Sequence, residues 1–224
     1  PLICCKCHPT AMSGVPIATG IAAVAVAAQL GVAIYNGSKT VWVECTVGFT
    51  TSQTSWIAWG LKTAWVSSTE VSLQDLGAWL QAGGVSHVTE VAQSGNVVNA
   101  AVLFGALAGI VGVLLAGVVA GLNMRALWKP AGALLCIDAL GVMVGVLVFI
   151  LDFQSKLRDI AFGQVGEILK DHGVHVPKAS LVGSMLSCTN QQYEIGFYTT
   201  AAFGGVMAVL GLVMVTCVGP SSGA

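Results

Sequence analysis

Charged side chains are scarce in this sequence: they make up 8% of its 224 residues, against about 25% in a typical soluble domain. The 9 basic and 10 acidic residues give a formal net charge of -1, so the chain offers no basic surface to a phosphate backbone, and nucleic-acid binding is excluded. Hydrophobic residues make up 55% of the chain. This composition indicates an integral membrane protein in contact with the lipid bilayer.

Histidine is missing from the long apolar runs, and this excludes a haem held by two histidines inside a helix bundle. His172 and His175 stand near Glu167 and Asp171, which are metal-ligand types, but the intervening Gly173 favours solvated loop side chains over a metal site. No catalytic motif is recognisable in the sequence. We therefore predict a protein that is not an enzyme and holds no cofactor or metal.

Four apolar runs are long enough to cross a hydrocarbon core of about 30 Å as helices. We predict transmembrane helices at 15–35, 97–122, 131–153 and 197–218. The remaining segments are an N-terminal segment 1–14, a first loop 36–96, a short loop 123–130, a second loop 154–196 and a tail 219–224. The chain is thus predicted to have two long loops on one side of the membrane.

The distribution of basic residues predicts the orientation. The short loop carries Arg125 and Lys129 without an acid, and the N-terminal segment carries Lys6. Basic residues of short loops stay on the cytoplasmic side, so both termini are predicted to be cytoplasmic and both long loops to face outward. We expect a plasma membrane or a continuous specialised membrane.

Three cysteines, Cys4, Cys5 and Cys7, crowd the N-terminal segment beside the first predicted span. Cytosolic cysteines in this position are typical palmitoylation sites, and we favour that interpretation over a zinc site formed with His8. Cys45 and Cys188 stand in different outward-facing loops. Because thiols on that side of the membrane meet an oxidising compartment, we predict a disulfide between them.

The first loop is predicted to be a small folded domain. Segments 40–50 and 55–67 are rich in Val, Thr and aromatic residues and predict strands, while a capping-box pattern at Ser72 predicts a helix that ends near Gly83. Tryptophans are concentrated in this loop, and a sheet lying against a membrane or a partner would bury their faces. The predicted partner-binding residues are Trp42, Trp56, Trp59, Trp65 and Trp79.

The second loop begins as a continuation of the third span. Leu157, Ile160, Ala161 and Ile168 recur at helical spacing between Phe153 and Lys170, with charged residues between them. We therefore expect the third helix to project well beyond the bilayer.

Asp138 lies within the third predicted span, where an acid must face the bundle interior or a partner rather than lipid. Two interpretations remain open: a residue on an ion or proton path, and a protonated or hydrogen-bonded acid that ties helices together, with Asn99 or another subunit as its partner. The second is favoured, because no charged partner stands in the other spans.

Small residues recur four apart in the spans, as in Gly105-x-x-x-Gly109 and Gly117-x-x-x-Gly121. Such pairs let helix backbones approach closely. With 28 glycines in the chain, packing within one bundle is favoured over a homodimer surface.

Four spans, a β-rich first outer loop, a very short inner loop and a long third helix make the chain resemble the claudin-like tetraspan superfamily. This superfamily includes claudins, peripheral myelin proteins, calcium-channel γ subunits and amastins. Trp42 and Gly60-Leu61 match the order of the claudin W and G-L-W motif, although Lys62 replaces its last Trp and the following cysteine pair is absent. Trp59-Gly60-x-Lys62 matches the amastin core, with Ser55 and Trp65 at its two cysteine positions.

These observations predict an all-α membrane protein: a four-transmembrane-helix bundle with a small β-rich extracellular subdomain in the first loop. The resemblance implies a non-enzymatic accessory or scaffolding subunit of a larger membrane assembly, or a claudin-like adhesion or barrier protein. Its partners would be other membrane protein subunits or further copies of itself. The alternative is a small oligomeric channel or transporter that uses Asp138.

Overall fold

The computed structural model describes residues 15–31, 43–49, 52–66, 69–85, 87–122, 125–158, 168–173 and 190–217. The helices are α1 (Val15–Leu30), α2 (Leu73–Ala82), α3 (His87–Leu122), α4 (Trp128–Val148), α5 (Gln154–Arg158) and α6 (Ile195–Cys217). The strands are β1 (Val43–Phe49), β2 (Ser52–Trp59), β3 (Thr63–Val66), β4 (Thr69–Ser72) and β5 (Asn190–Tyr193). A 3-10 turn (Arg125–Leu127) precedes α4, and a π-helical segment (Phe149–Phe153) joins α4 to α5.

Three helices are long and apolar enough to cross a membrane: His87–Leu122, Trp128–Leu157 and Ile195–Thr216. Their 36, 30 and 22 residues rise about 54, 45 and 33 Å at about 1.5 Å per residue, against about 30 Å of hydrocarbon. The prediction of a membrane protein is confirmed at this level. The first predicted span corresponds to α1, whose 16 residues rise only about 24 Å; residues 32–35 lie outside the described ranges, so a fourth span stays a prediction.

Helix α3, the counterpart of the second predicted span, begins at His87, ten residues before residue 97, where that span was predicted to begin. Its first turns carry Glu90 and Ser94, which lower the local hydropathy, yet Val88 and Val91 are completely buried. Tertiary packing therefore extends the helix beyond its apolar run. The counterpart of the third predicted span likewise continues past residue 153, as α5, to Arg158. A further helical turn covers 168–171, and residues 159–167 lie outside the described part of the chain.

The described residues belong to two compact units. We call the first the helical unit; it comprises Pro1–Gly31, Ala101–Met143 and Thr200–Ala224. The second is the sheet unit, which comprises Val32–Ala100 and Val144–Thr199.

The sheet unit is built on a five-stranded antiparallel sheet in the order β4-β3-β2-β1-β5. The predicted β-rich segment 55–67 divides into β2 and β3, because the chain reverses at 60–62, where Gly60 N donates to Thr63 O at 2.8 Å. The fifth strand comes from the second long loop and pairs with β1 from Val43 opposite Tyr193 to Thr46 opposite Asn190. The two long loops therefore form one structure.

The helix predicted after Ser72 is present as α2, and Ser72 is its N-cap. Ser72 Oγ accepts a hydrogen bond from Asp75 N at 3.0 Å and donates one to Asp75 Oδ2 at 2.6 Å. This satisfies one of the free N–H groups at the helix start, a contribution of about 1 kcal/mol. The helix ends at Gly83, and Gly84 has a φ of +87°, a conformation that glycine adopts without steric cost.

An apolar core lies inside the sheet unit. It unites strand and turn residues such as Val43, Trp59 and Leu61 with Leu76 and Leu80 of α2. An aromatic row adds to it, with ring centroids 4.9 Å apart between Phe153 and Phe149, 5.7 Å between Phe149 and Phe197, and 4.3 Å between Phe197 and Tyr193. The π-helical segment, β5 and the start of α6 thus contribute to one core.

The helical unit packs mainly through small residues. A methyl group added at Gly141 would meet Ala101 O and Gly105 Cα, each at 2.8 Å, so α3 and α4 approach at backbone contact distance. Packing within the chain is therefore confirmed for Gly105 and Gly109. Gly117 and Gly121 are exposed, and no atom of the described residues lies within 4 Å of a methyl group added at either, so the prediction is not confirmed for them.

We expect Gly141→Ala to lower the free energy of unfolding by about 1–3 kcal/mol, because its methyl group meets backbone atoms that cannot rotate away. Gly117→Ala is the matched control, with open space around the new methyl group. Thermal unfolding of the purified protein in one detergent measures both. Equal losses in the two variants would contradict the backbone contact between α3 and α4.

Candidate functional site

The five tryptophans of the first loop do not form one uniform surface. Trp59 is completely buried in the core of the sheet unit, which corrects its prediction as a partner-binding residue. The last residue of β2 lies opposite Val43 on one side and Ala64 on the other, and all three are buried. An indole in this position fills the core instead of meeting a partner.

Trp65 and Trp79 are half-buried and keep part of each indole at the surface. Trp79 lies on α2 and stacks on the imidazole of His172, with ring centroids 4.7 Å apart and an interplanar angle of 18°. Trp56 is described as backbone of β2 only, and Trp42 lies outside the described residues. Two of the five predicted contact tryptophans are thus shown with surface available.

The stack between Trp79 and His172 is a contact that sequence reasoning missed. His172 Nδ1 lies 2.9 Å from Ile168 O, and a methyl group added at Gly83 would overlap the side chain of Ile168. The helical turn at 168–171 therefore packs on the end of α2. Within the described ranges no cluster of three metal-ligand side chains occurs, while Glu167 and His175 lie outside those ranges.

A polar clasp joins α3 to the helix that follows α4. Ser94 Oγ donates a short hydrogen bond to Asp152 Oδ2, and Lys156 Nζ donates to the same carboxylate oxygen at 2.9 Å and to Ser94 Oγ at 3.1 Å. The side chain of Asp152 remains 46% exposed. No spacing in the sequence reveals that Ser94 and Asp152 meet.

Of the cysteines predicted to form a disulfide or to be lipidated, the structure describes Cys45. The backbone of Cys45 lies in β1 opposite Gln191 of β5, three residues from Cys188. Cys188 and the N-terminal cysteines Cys4, Cys5 and Cys7 lie outside the described residues. The pairing of Cys45 with Cys188 and the palmitoylation therefore stay predictions.

The carboxyl group of Asp138 is fully buried in the helical unit. It lies against the α3 backbone at two glycines, since a methyl group added at Gly105 would meet Asp138 O at 2.7 Å and one added at Gly109 would overlap Asp138 Oδ2. Only residues without a side chain leave room for the carboxyl group here. The glycine pair thus provides the space for the acid as well as the contact between helices.

The amide that meets Asp138 belongs to Gln29 of α1, and not to Asn99, which was one of the predicted partners. One terminal atom of the Gln29 amide lies 3.1 Å from Asp138 Oδ1 and 3.0 Å from Oδ2. The other terminal atom of the amide faces only hydrogen-bond donors, so the atom beside the carboxyl group is the nitrogen, and Gln29 donates to Asp138. Of the two basic residues in the described part of the helical unit, Arg125 lies in the 3-10 turn before α4 and Lys129 lies in the first turn of α4.

No protein-family model and no curated protein matches this sequence. A function must therefore be argued from the sheet unit and from the buried acid.

We expect Trp59→Ala to destabilise the protein by about 3–5 kcal/mol, because it removes a completely buried aromatic side chain. Trp65→Ala, at a half-buried position on the neighbouring strand, should lower the free energy of unfolding far less. The two variants are compared by denaturant unfolding and by resistance to protease. A small loss for Trp59→Ala would show that its indole is not part of the core.

Proposed function

We propose that this protein is non-enzymatic and acts by protein contact, as an accessory or scaffolding subunit of a larger membrane assembly. The sheet unit is the observation that supports this. Two long connections are used to build one sheet with its own apolar core, and Trp65 and Trp79 remain partly exposed on it. Half-exposed aromatic side chains on a rigid support are typical of protein contact sites.

The proposed topology has four spans, with α1 as the first and both termini cytoplasmic. The pairing of β1 with β5 supports it, since strands cannot pair across a bilayer and α3 and α4 supply the two crossings between them. Arg125 and Lys129 then mark the cytoplasmic side, and the sheet unit is extracellular, at the plasma membrane or in a specialised membrane.

A claudin-like adhesion or barrier role is the closest variant of this proposal. The first loop contributes four strands, which agrees with the β-rich first loop of the claudin-like superfamily. In that variant the partner is another copy of the chain or a neighbouring cell's protein.

The contact proposal predicts that a photo-crosslinking residue at position 79 or 65 captures a larger membrane protein in a constant ratio. Native mass measurement after gentle detergent extraction should find the same partner. Trp79→Ala should reduce its recovery several-fold, and Gln81→Ala, at an exposed position on the same helix, should not. A closed ring of this chain alone, with no second protein, contradicts the accessory role and favours the barrier or channel.

The second candidate is a small oligomeric channel or transporter. The fully buried Asp138, in the interior of the helical unit, is the observation in its favour. In that case Asp138→Asn abolishes transport in reconstituted vesicles, while an accessory subunit shows no transport to lose.

A further inference from the structure

Gln29 is the polar residue among the fully buried residues described for α1. Ala22, Ala25 and Val26 are buried with Gln29, and these positions follow the spacing of one helix face. The apolar members are small, so α1 has little side-chain surface with which to hold its neighbours. Gln29 adds a polar contact to this face, with the carboxyl group of Asp138.

Three helices meet at Gly109. A methyl group there would overlap Asp138 Oδ2 from α4 and lie 2.9 Å from Val26 Cγ2 of α1. The absent side chain opens a path through which the carboxyl group of Asp138 reaches the amide of Gln29. Asp138 and Gln29 thus join α1 to α4 across a glycine of α3.

The surroundings of the Asp138 carboxyl group disfavour its ionised form. No cationic side chain faces the carboxyl group from the described parts of α1, α3, α4 or α6; Lys129 is exposed and nine residues away along α4, about 13 Å. An ionised acid without a cation is strongly disfavoured inside hydrocarbon. Two side chains also supply too few oxygen atoms to replace the hydration shell of a metal ion, since hard cations such as Ca²⁺ take about six to eight oxygen ligands. A proton, in contrast, needs only one of the two carboxyl oxygens to bind it.

We propose that Asp138 holds a proton, that it accepts a hydrogen bond from Gln29 Nε2, and that this neutral carboxyl–amide pair is the latch that fastens α1 to α4. This proton site does not depend on the contact function proposed above. Loss of the proton leaves a buried negative charge with no cation near it on the described helices, so the latch is weakened.

The proton is tested directly by infrared spectroscopy of the full chain in lipid bilayers. At neutral pH the wild type should show the C=O stretching band of a protonated carboxylic acid, and Asp138→Asn should lack it. Asp152→Asn is the matched control on the same continuous helix, where Lys156 pairs with an ionised carboxylate, and it should keep the band. A wild type without that band overturns the proposal. If Asp138→Asn does not fold, labelling Asp carboxyl carbons with ¹³C must shift the band in the wild type.

The latch is tested by thermal unfolding. Asp138→Asn should unfold within a few degrees of the wild type, because its amide oxygen accepts from Gln29 Nε2 as the neutral acid does. Asp138→Ala and Gln29→Leu should unfold at clearly lower temperature, and combining them should add little to either. An Asn variant as unstable as the Ala variant overturns the neutral pair, and stabilisation of the wild type by NaCl but not by choline chloride assigns the site to a metal cation instead.

Discussion

The pairing of β1 with β5 is the contact on which the sheet unit depends. These strands come from different long connections, with α3 and α4 between them in the chain. Their hydrogen bonds require both connections to lie on one side of the membrane, because unpaired backbone groups cannot cross hydrocarbon. The pairing also carries Tyr193 to the aromatic row that closes the core. A single pair of strands therefore joins two segments that are far apart in the sequence into one folded unit.

The helical unit solves a different physical problem. Within a bilayer, lipid tails are as apolar as the helices, so burial of apolar surface gives helices little reason to associate. Close packing and hydrogen bonds must do so, and here both arise at the same place. Gly105 and Gly109 bring α3 against α4, and the space they leave admits the carboxyl group of Asp138 to Gln29.

The tryptophans show how composition and position carry different information. Their density in the first loop correctly indicates a folded unit, since a solvated loop gains nothing from many indoles. It does not distinguish Trp59, which is enclosed by neighbouring strands, from Trp79, which stacks on His172 at the surface. That distinction depends on the strand register and on which helix covers the sheet. The clasp of Ser94 with Asp152 and Lys156 is likewise invisible in sequence, because its members are brought together by the packing of two helices.

The sequence by itself determined the membrane class, three of the spans, the β-rich character of the first loop and the capped helix at Ser72. Each of these follows from local composition or from contacts between residues close in the chain. Tertiary structure alone decided the fifth strand, the extension of α3 to His87, the burial of Trp59 and the choice of Gln29 as the partner of Asp138. These features join residues far apart in sequence, and periodicity and propensity describe only what each segment can form, not which other segment it meets.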